Sequence, residues 1–85
     1  MTNIQIQDNI FWTVDSDGIF ICDKRVGLSE RLPLEESIIW DLLLRENTFT
    51  ELALIYSYII ITSPEKAESI INECIGKWQS RGYLK

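Results

Sequence analysis

The 85-residue sequence contains no histidine and only two cysteines. The lack of histidine removes the side chain that most often acts as a general base near neutral pH and most often binds a metal ion. Cys22 and Cys74 are far apart, whereas a zinc site needs paired ligands at short spacing. Both stand in apolar stretches, so we expect buried free thiols in a reducing cytoplasm, with a disulfide as the alternative.

Glycine is also scarce, and the four glycines stand singly, so the chain has no glycine-rich loop for a phosphate group. Asp15, Asp17 and Asp23 surround predicted turns, where aspartate commonly caps backbone groups. The loop that they flank is too short for the known calcium-ligand pattern. We therefore predict no catalytic residue, no metal and no cofactor, and we interpret the chain as a binding protein and not as an enzyme.

Basic residues are in the minority, with 8 Lys and Arg against 13 Asp and Glu and a net charge of −5. Because Lys and Arg supply most of the affinity for phosphate groups, this balance disfavours a nucleic-acid partner. The longest apolar run, residues 52–61, has about half the length of a membrane span. The N-terminus lacks the basic start and apolar run of a secretion signal. We expect a cytoplasmic protein that binds neither nucleic acid nor membrane.

The hydrophobic content of 46% suffices for one folded domain, which we expect to span residues 1–85. Residues 10–14 and 19–22 are rich in β-branched and aromatic side chains, and residues 15–18 between them are typical of a turn. A second turn at 23–25 leads into a third predicted strand, Val26 to Arg31. The remainder predicts three helices. The fold class is therefore α+β, a three-stranded antiparallel β-meander followed by three α-helices, similar to a winged helix-turn-helix.

Each predicted helix has a start signal and an apolar stripe. The first begins near Pro33, with Trp40 close to its stripe; the expected stripe is Leu34, Ile38, Ile39, Leu42 and Leu43. The second begins at Thr48, which forms a capping box with Glu51, and residues 52–61 are its expected buried body, with a strand as the alternative. The third has Ser63 as its cap and ends at Gly82; its apolar arc is Ala67, Ile70, Ile71, Cys74, Ile75 and Trp78.

Two kinds of binding fit this architecture. A winged-helix-like DNA-binding regulator needs a basic recognition helix, but on the third helix Lys66, Lys77 and Arg81 are offset by acidic residues. A peptide could instead extend the sheet at the outer edge of the third strand. Charged residues around that strand also have a simpler interpretation, because edge strands commonly carry charges that block aggregation; they are Lys24, Arg25, Glu30 and Arg31.

The stretch "GLSERLPLEESIIWDLL" (27–43) resembles the central region of the pyrroloquinoline quinone biosynthesis protein D family. In that family a glycine-bearing third strand ends in Leu, and an Ile-Trp pair and a Leu pair follow; here these are Leu32, Ile39–Trp40 and Leu42–Leu43. "TFTEL" (48–52) is similar to the start of the family's second helix, and residues 63–84 are similar to its last helix. Pro33 replaces the family's usual Asn, and residues 23–27 lack its commoner turn sequence.

The resemblance implies a precursor-peptide recognition element, which binds the leader segment of a ribosomally made peptide and delivers it to modifying enzymes. In the family the leader lies as an added strand on strand three, in a groove closed by the third helix. The lasso-peptide type, which works beside a leader peptidase and a cyclase, fits this chain best, and a partner of radical enzymes is the alternative. Carried over, the backbone contacts come from Val26, Gly27, Leu28, Ser29, Glu30 and Arg31, and the pockets from Ile70, Cys74, Lys77 and Trp78.

Overall fold

The computed structural model describes residues 4–45 and 48–85. Within them, three strands form one antiparallel sheet in the order β1-β2-β3, and three helices follow. The bounds are β1 Ile10–Asp15, β2 Gly18–Asp23, β3 Leu28–Arg31, α1 Leu34–Leu43, α2 Phe49–Ile59 and α3 Pro64–Ser80. The predicted α+β architecture is confirmed, while the comparison with a winged helix-turn-helix stays a prediction.

A tight turn joins β1 to β2, as the sequence predicts. Asp15 pairs with Gly18 across it, and the Asp17 N–H donates to the Asp15 carboxylate at 2.8 Å. Gly18 has a φ of 125°, which glycine adopts without steric cost. A β-carbon at this position would lie 2.8 Å from the Ser37 hydroxyl oxygen, so the turn and the close approach of α1 both require glycine.

β3 begins two residues later than predicted. Asp23 pairs with Leu28, so residues 24–27 form the turn between β2 and β3. Gly27 has a φ of 70°, and its N–H donates to the Asp23 carbonyl at 2.9 Å. The prediction that Val26 and Gly27 belong to the strand is wrong, because a four-residue turn ending in a left-handed glycine closes this hairpin.

The three helices cover one face of the sheet. Ser37 of α1 ties helix to sheet, since its hydroxyl accepts the Ile19 N–H at 2.9 Å and donates to the Leu32 carbonyl at 3.2 Å. The indole rings of Trp40 and Trp78 meet edge to face with their centroids 5.1 Å apart. The largest fully buried side chains are Trp40, Trp78, Tyr56, Ile21, Leu32, Ile39, Leu52, Ile71 and Leu84.

The predicted stripe of α1 is confirmed except at its start. Leu42 and Leu43 are buried with Ile39 and Trp40, and Ile38 is half-buried, but Leu34 is 66% exposed. At 100° per residue, Leu34 lies about 120–140° around the helix from Ile39 and Trp40. It therefore faces away from the core.

The predicted second and third helices are confirmed, and the strand alternative for α2 is wrong. The Thr48 hydroxyl accepts the Glu51 N–H at 3.1 Å, and the Ser63 hydroxyl accepts the Lys66 N–H at 3.2 Å, so both expected caps are present. None of the helices among the described residues is both long and apolar enough to cross a bilayer.

Residues 52–61 do not form the continuous buried body that we expected from the sequence. α2 packs on one side only, so a stripe at helical spacing is buried; it consists of Leu52, Ala53, Tyr56 and Ser57. Five other apolar side chains of this stretch are exposed; they are Leu54, Ile55, Tyr58, Ile59 and Ile61.

The N-terminal segment runs beside the C-terminal end of the chain. Ile6 forms a β-bridge with Leu84. The Gln7 N–H donates to the Tyr83 carbonyl at 3.0 Å, and the Lys85 N–H donates to the Gln5 carbonyl at 2.7 Å. The described part of this segment therefore leaves the outer edge of β3 uncovered.

Candidate peptide-binding groove

The hydrogen-bond pattern of β3 determines which of its backbone groups face outward. The Leu32 N–H donates to the Ile19 carbonyl at 2.8 Å. Because hydrogen-bonded pairs alternate along an antiparallel ladder, Glu30 also bonds to β2, whereas the N–H and C=O groups of Ser29 and Arg31 point away from it. Within the described part of the chain no strand pairs with this edge, so four backbone groups are open to a partner.

A groove separates this edge from α3. The α-carbons of the two elements remain more than 8 Å apart along their whole lengths. Neighbouring strands in a sheet lie about 4.8 Å apart, so an extended chain fits between β3 and α3. We call this space the β3–α3 groove.

The first of two depressions lies in this groove at the start of β3 and has a volume of about 610 Å³. Directly paired residues share a face of a sheet, so Leu28 and Glu30 point toward the helices with their partners on β2. Leu28 is 67% exposed at this depression, where Val26 also contributes an apolar side chain. The register thus places Leu28 in the groove and not in the core, a choice that the sequence left open.

A charged clamp crosses the groove at Glu30. Its carboxylate accepts hydrogen bonds from the Arg81 guanidinium at 2.8 and 2.9 Å and from the Tyr83 hydroxyl at 2.6 Å. Burial acts to raise the pKa of Glu30, but the bonds from Tyr83 and Arg81 outweigh it, and the net pKa is lowered. Burial and the bond to Glu30 raise the pKa of Tyr83 to about 12. The clamp is therefore ionised Glu30 held by a neutral phenol and a guanidinium at neutral pH.

The second depression, which we call the Glu36 cavity, has a volume of about 280 Å³ and lies between the start of α1 and the middle of α3. Pro33, which follows β3 after one residue, forms part of its wall. Lys77 reaches across it, with its Nζ 2.7 Å from Glu36 Oε2. Burial and the nearby Glu36 carboxylate raise the pKa of the Cys74 thiol to about 11, so Cys74 is a neutral wall residue at physiological pH.

The two cysteines are free, as the sequence predicts, with Cys74 buried and Cys22 half-buried; the disulfide alternative is wrong. The chain contains no histidine. Among residues 4–45 and 48–85, no cluster of three or more Cys, Asp and Glu side chains is arranged to hold a metal ion. The arrangement supports binding through backbone groups, apolar contacts and charges.

Three of the four predicted pocket residues on α3 line the Glu36 cavity, namely Ile70, Cys74 and Lys77. Trp78 does not, because it is 0% exposed and packs in the core against Trp40. The Arg31 side chain also lies outside the groove, since it points to the opposite face of the sheet and pairs there with Asp15.

Sequence reasoning missed Arg81 and Tyr83 as groove residues and did not assign Glu36 to a cavity. The sequence contained one indication that Arg81 and Tyr83 could be groove residues. Glu30 stands between Leu28 and Leu32 on the face of the strand that points to the helices, and a carboxylate at such a position needs partners. Those partners come from the segment that follows α3, more than 50 residues later.

The order of elements and the open edge define a class of small α+β domains with a three-stranded meander before three helices. Lasso peptide synthetase B1, solved in complex with the leader peptide, shares this fold with a TM-score of 0.89 and 17% sequence identity over 96% of this chain and 96% of that chain. TbiB1, solved in complex with the TbiA(β) leader peptide, shares it with a TM-score of 0.86 and 16% identity over 95% of this chain and 94% of that chain.

No family model and no curated protein matches this sequence. At identities of 16–17%, the two structures show a common fold that extends over nearly the whole of each chain. The fold that the family resemblance implied is thus confirmed.

Proposed function

We propose that this chain binds the leader segment of a ribosomally synthesised precursor peptide as an added strand on β3. The observation that carries the proposal is the open edge of β3, which faces α3 across the β3–α3 groove. The two proteins of the same fold were both solved with leader peptides, which supports the same class of ligand here. Cytoplasmic location and a non-catalytic role belong to the proposal.

The open backbone groups of β3 would hold a bound peptide along the strand. The four outward groups of Ser29 and Arg31 allow up to four main-chain hydrogen bonds, each contributing about 0.5–1.5 kcal/mol. Two apolar anchors, one of them on Leu28, add about 1.5–3 kcal/mol each when fully buried. These contributions total about 5–12 kcal/mol before an association cost of at least about 4 kcal/mol. The edge and the two anchors alone therefore account for micromolar or weaker binding, and further contacts along the groove must supply the rest of a submicromolar affinity. Such affinity suits a protein that recruits a peptide and later releases it.

The bound leader would then be presented to enzymes of the same pathway. A leader peptidase and a cyclase of the lasso-peptide type are the partners that we propose, and a radical enzyme is the alternative within the same family of recognition domains. A winged-helix DNA-binding role has weaker support, because the chain carries a net charge of −5 and carboxylates line the groove, among them Asp23 and Glu30.

The test is fluorescence polarisation with the labelled leader of the precursor peptide encoded beside this chain, and with a labelled DNA duplex of about 20 base pairs as the control at about 150 mM salt. We expect the leader to bind with a dissociation constant below about 1 µM and the duplex to give a flat signal. Binding of the duplex without binding of the leader would overturn the proposal in favour of the DNA-binding role. Faster cleavage of the precursor by the pathway's peptidase when the chain is added would support delivery.

A further inference from the structure

The Glu36 cavity has two chemically distinct parts. Ile39, Tyr56 and Ile70 contribute an apolar floor. The charged side chains around it are Glu35, Glu36, Glu73 and Lys77. Three carboxylates and one ammonium group give a formal charge of −2, so the cavity is apolar at its base and negative at its rim.

One carboxylate oxygen of the cavity is enclosed and unpaired. Glu36 Oε2 contacts the Lys77 ammonium at 2.7 Å. Glu36 Oε1 is buried, and within the described part of the chain it has no hydrogen-bond partner. A buried acceptor without a donor is unfavourable, and a second donor that entered the cavity would relieve this cost.

The titration of neighbouring groups is consistent with a negative potential in the cavity. The pKa of the Cys74 thiol is raised first by burial and then by the Glu36 carboxylate, with Glu73 acting in the same direction against Lys77. The pKa of Tyr56 is raised by burial first and also by Glu35 and Glu36. Burial is the larger cause for both groups, and the nearby carboxylates add a smaller shift in the direction expected of a negative potential.

Building on the proposed function, we infer that the Glu36 cavity receives a lysine or arginine side chain of the bound leader peptide. The aliphatic stem of such a side chain covers the floor formed by Ile39 and Ile70, while its charged end reaches the carboxylates at the rim. Glu36 Oε1 is buried in the free protein, so a rotation of the Glu36 carboxylate would be needed for it to accept a charge-assisted hydrogen bond from this side chain. A bare metal ion fits less well, because no group of three Cys, Asp or Glu among the described residues is arranged to hold one.

The geometry of an added strand gives the position of this basic residue. Side chains on the helix-facing side of a strand recur every second residue, and each residue advances about 3.3 Å. Leu28, at the first depression, and Leu32, which precedes Pro33 at the Glu36 cavity, both face the helices and are four residues apart along the chain, which corresponds to about 13 Å. The basic residue should therefore lie an even number of residues, about four, from the apolar residue that contacts Leu28.

The experiment selects ligands from a phage-displayed library of random 16-residue peptides. The baits are the unaltered protein, Ser29→Pro, the double variant Glu36→Gln/Glu73→Gln, and Glu65→Gln, which removes a carboxylate from α3 outside the cavity. Among peptides that bind the unaltered protein but not Ser29→Pro, we expect enrichment of Lys or Arg at one position. The enrichment should persist with Glu65→Gln and disappear with the double variant.

A second measurement does not depend on how any variant folds. The best selected peptide is synthesised with its basic residue as arginine and as the uncharged isostere citrulline, and both are titrated against the unaltered protein. We expect citrulline to weaken binding by about 10-fold or more, because it removes the charge while keeping the shape. Equal affinity of the two peptides would overturn the inference.

The outcomes separate this inference from the proposed function. If no selected peptide depends on Ser29, strand addition itself is wrong. If peptides depend on Ser29 but show no basic position, or if that position persists in the double variant, the basic-side-chain inference alone is wrong.

Discussion

The two outer edges of the sheet, β1 and β3, differ in what lies beside them. Neither edge is paired within the described residues. β1 is the longer strand, with six residues against four, and it exposes Phe11, Trp12 and Val14. β3 faces α3 across a groove that contains the Glu30 clamp and the first depression, and the Glu36 cavity lies beyond the end of β3. Length and apolar character alone would therefore favour β1, and not the edge that we propose for binding.

Charged side chains cover the sheet on the side of β1, the edge that we do not propose for binding. The Lys24 ammonium lies 4.2 Å from the centre of the Phe11 ring on β1, and Arg31 crosses the solvent face to pair with Asp15. Such charges hinder edge-to-edge aggregation. Glu30 instead points into the groove. Of the charged residues around β3, Lys24 and Arg31 therefore cover the solvent face of the sheet, and Glu30 belongs to the groove.

Proline substitution tests the two edges most strongly. The Lys24 N–H donates to the Asn9 carbonyl, so by alternation the N–H of Val14 faces outward on β1, as that of Ser29 does on β3. Neither Ser29→Pro nor Val14→Pro removes a bond of the sheet. We expect Ser29→Pro to weaken leader binding at least 30-fold, about 2 kcal/mol, through the lost donor and the bulk of the ring. Val14→Pro should change it less than about 3-fold.

Fluorescence polarisation gives the affinities, and circular dichroism confirms that both proline variants fold. Equal losses of leader affinity in Ser29→Pro and Val14→Pro would contradict the proposal that the leader binds at β3 and not at β1. Leu28→Pro is the poorer variant, because the N–H of Leu28 points toward β2 and its loss would disturb the sheet itself.

Alanine substitution of one exposed apolar residue on β1 and one on β3 compares the two edges again, with a smaller expected effect on leader binding. Leu28 is 67% exposed and Val14 is 63% exposed, so neither truncation should change the free energy of unfolding by more than about 0.5 kcal/mol. We expect Leu28→Ala to weaken leader binding about 5- to 30-fold, or about 1–2 kcal/mol, through lost apolar contact. Val14→Ala should leave it unchanged. Isothermal titration calorimetry on both variants measures this, and a larger loss at Val14 would point to β1 as the binding edge.

The clamp gives the smallest expected effect at neutral pH. We expect Glu30→Gln to weaken leader binding about 3-fold, while Asp15→Asn, which removes the ion pair on the solvent face, should have no effect. The pKa of Glu30 lies below its ordinary value of 4.5, so the contribution of the clamp is fully present above about pH 4.5 and is lost as the pH falls through the lower, folded-state pKa. Binding titrations that extend from pH 7 to below pH 4 should show this loss in the unaltered protein and not in Glu30→Gln.

Local sequence signals predicted the fold well. Gly18 in its turn, Thr48 and Ser63 as helix caps, and the order of strands and helices all depend on residues within a few positions of one another. The resemblance of residues 27–43 to a known family added the open edge of β3. These features need no knowledge of long-range packing.

The remaining features depend on contacts between distant parts of the chain. The sequence could not determine that Leu28 faces the groove, because a shift of one residue in register reverses every side chain of a strand. Trp78 lies on the apolar arc of α3, and only the packing of α3 against α1 places it in the core instead of the groove. Arg81 and Tyr83 meet Glu30 only after the whole chain has folded.

The side-by-side arrangement of segments 5–7 and 83–85 has a practical consequence. Tyr83 holds Glu30 through its hydroxyl while its carbonyl accepts the N–H of Gln7. A fluorophore or fused domain attached after Lys85 therefore emerges within a few residues of the mouth of the groove. Attachment at an exposed residue that follows α2, such as Ile61, keeps the reporter on a surface that contributes to neither of the two depressions.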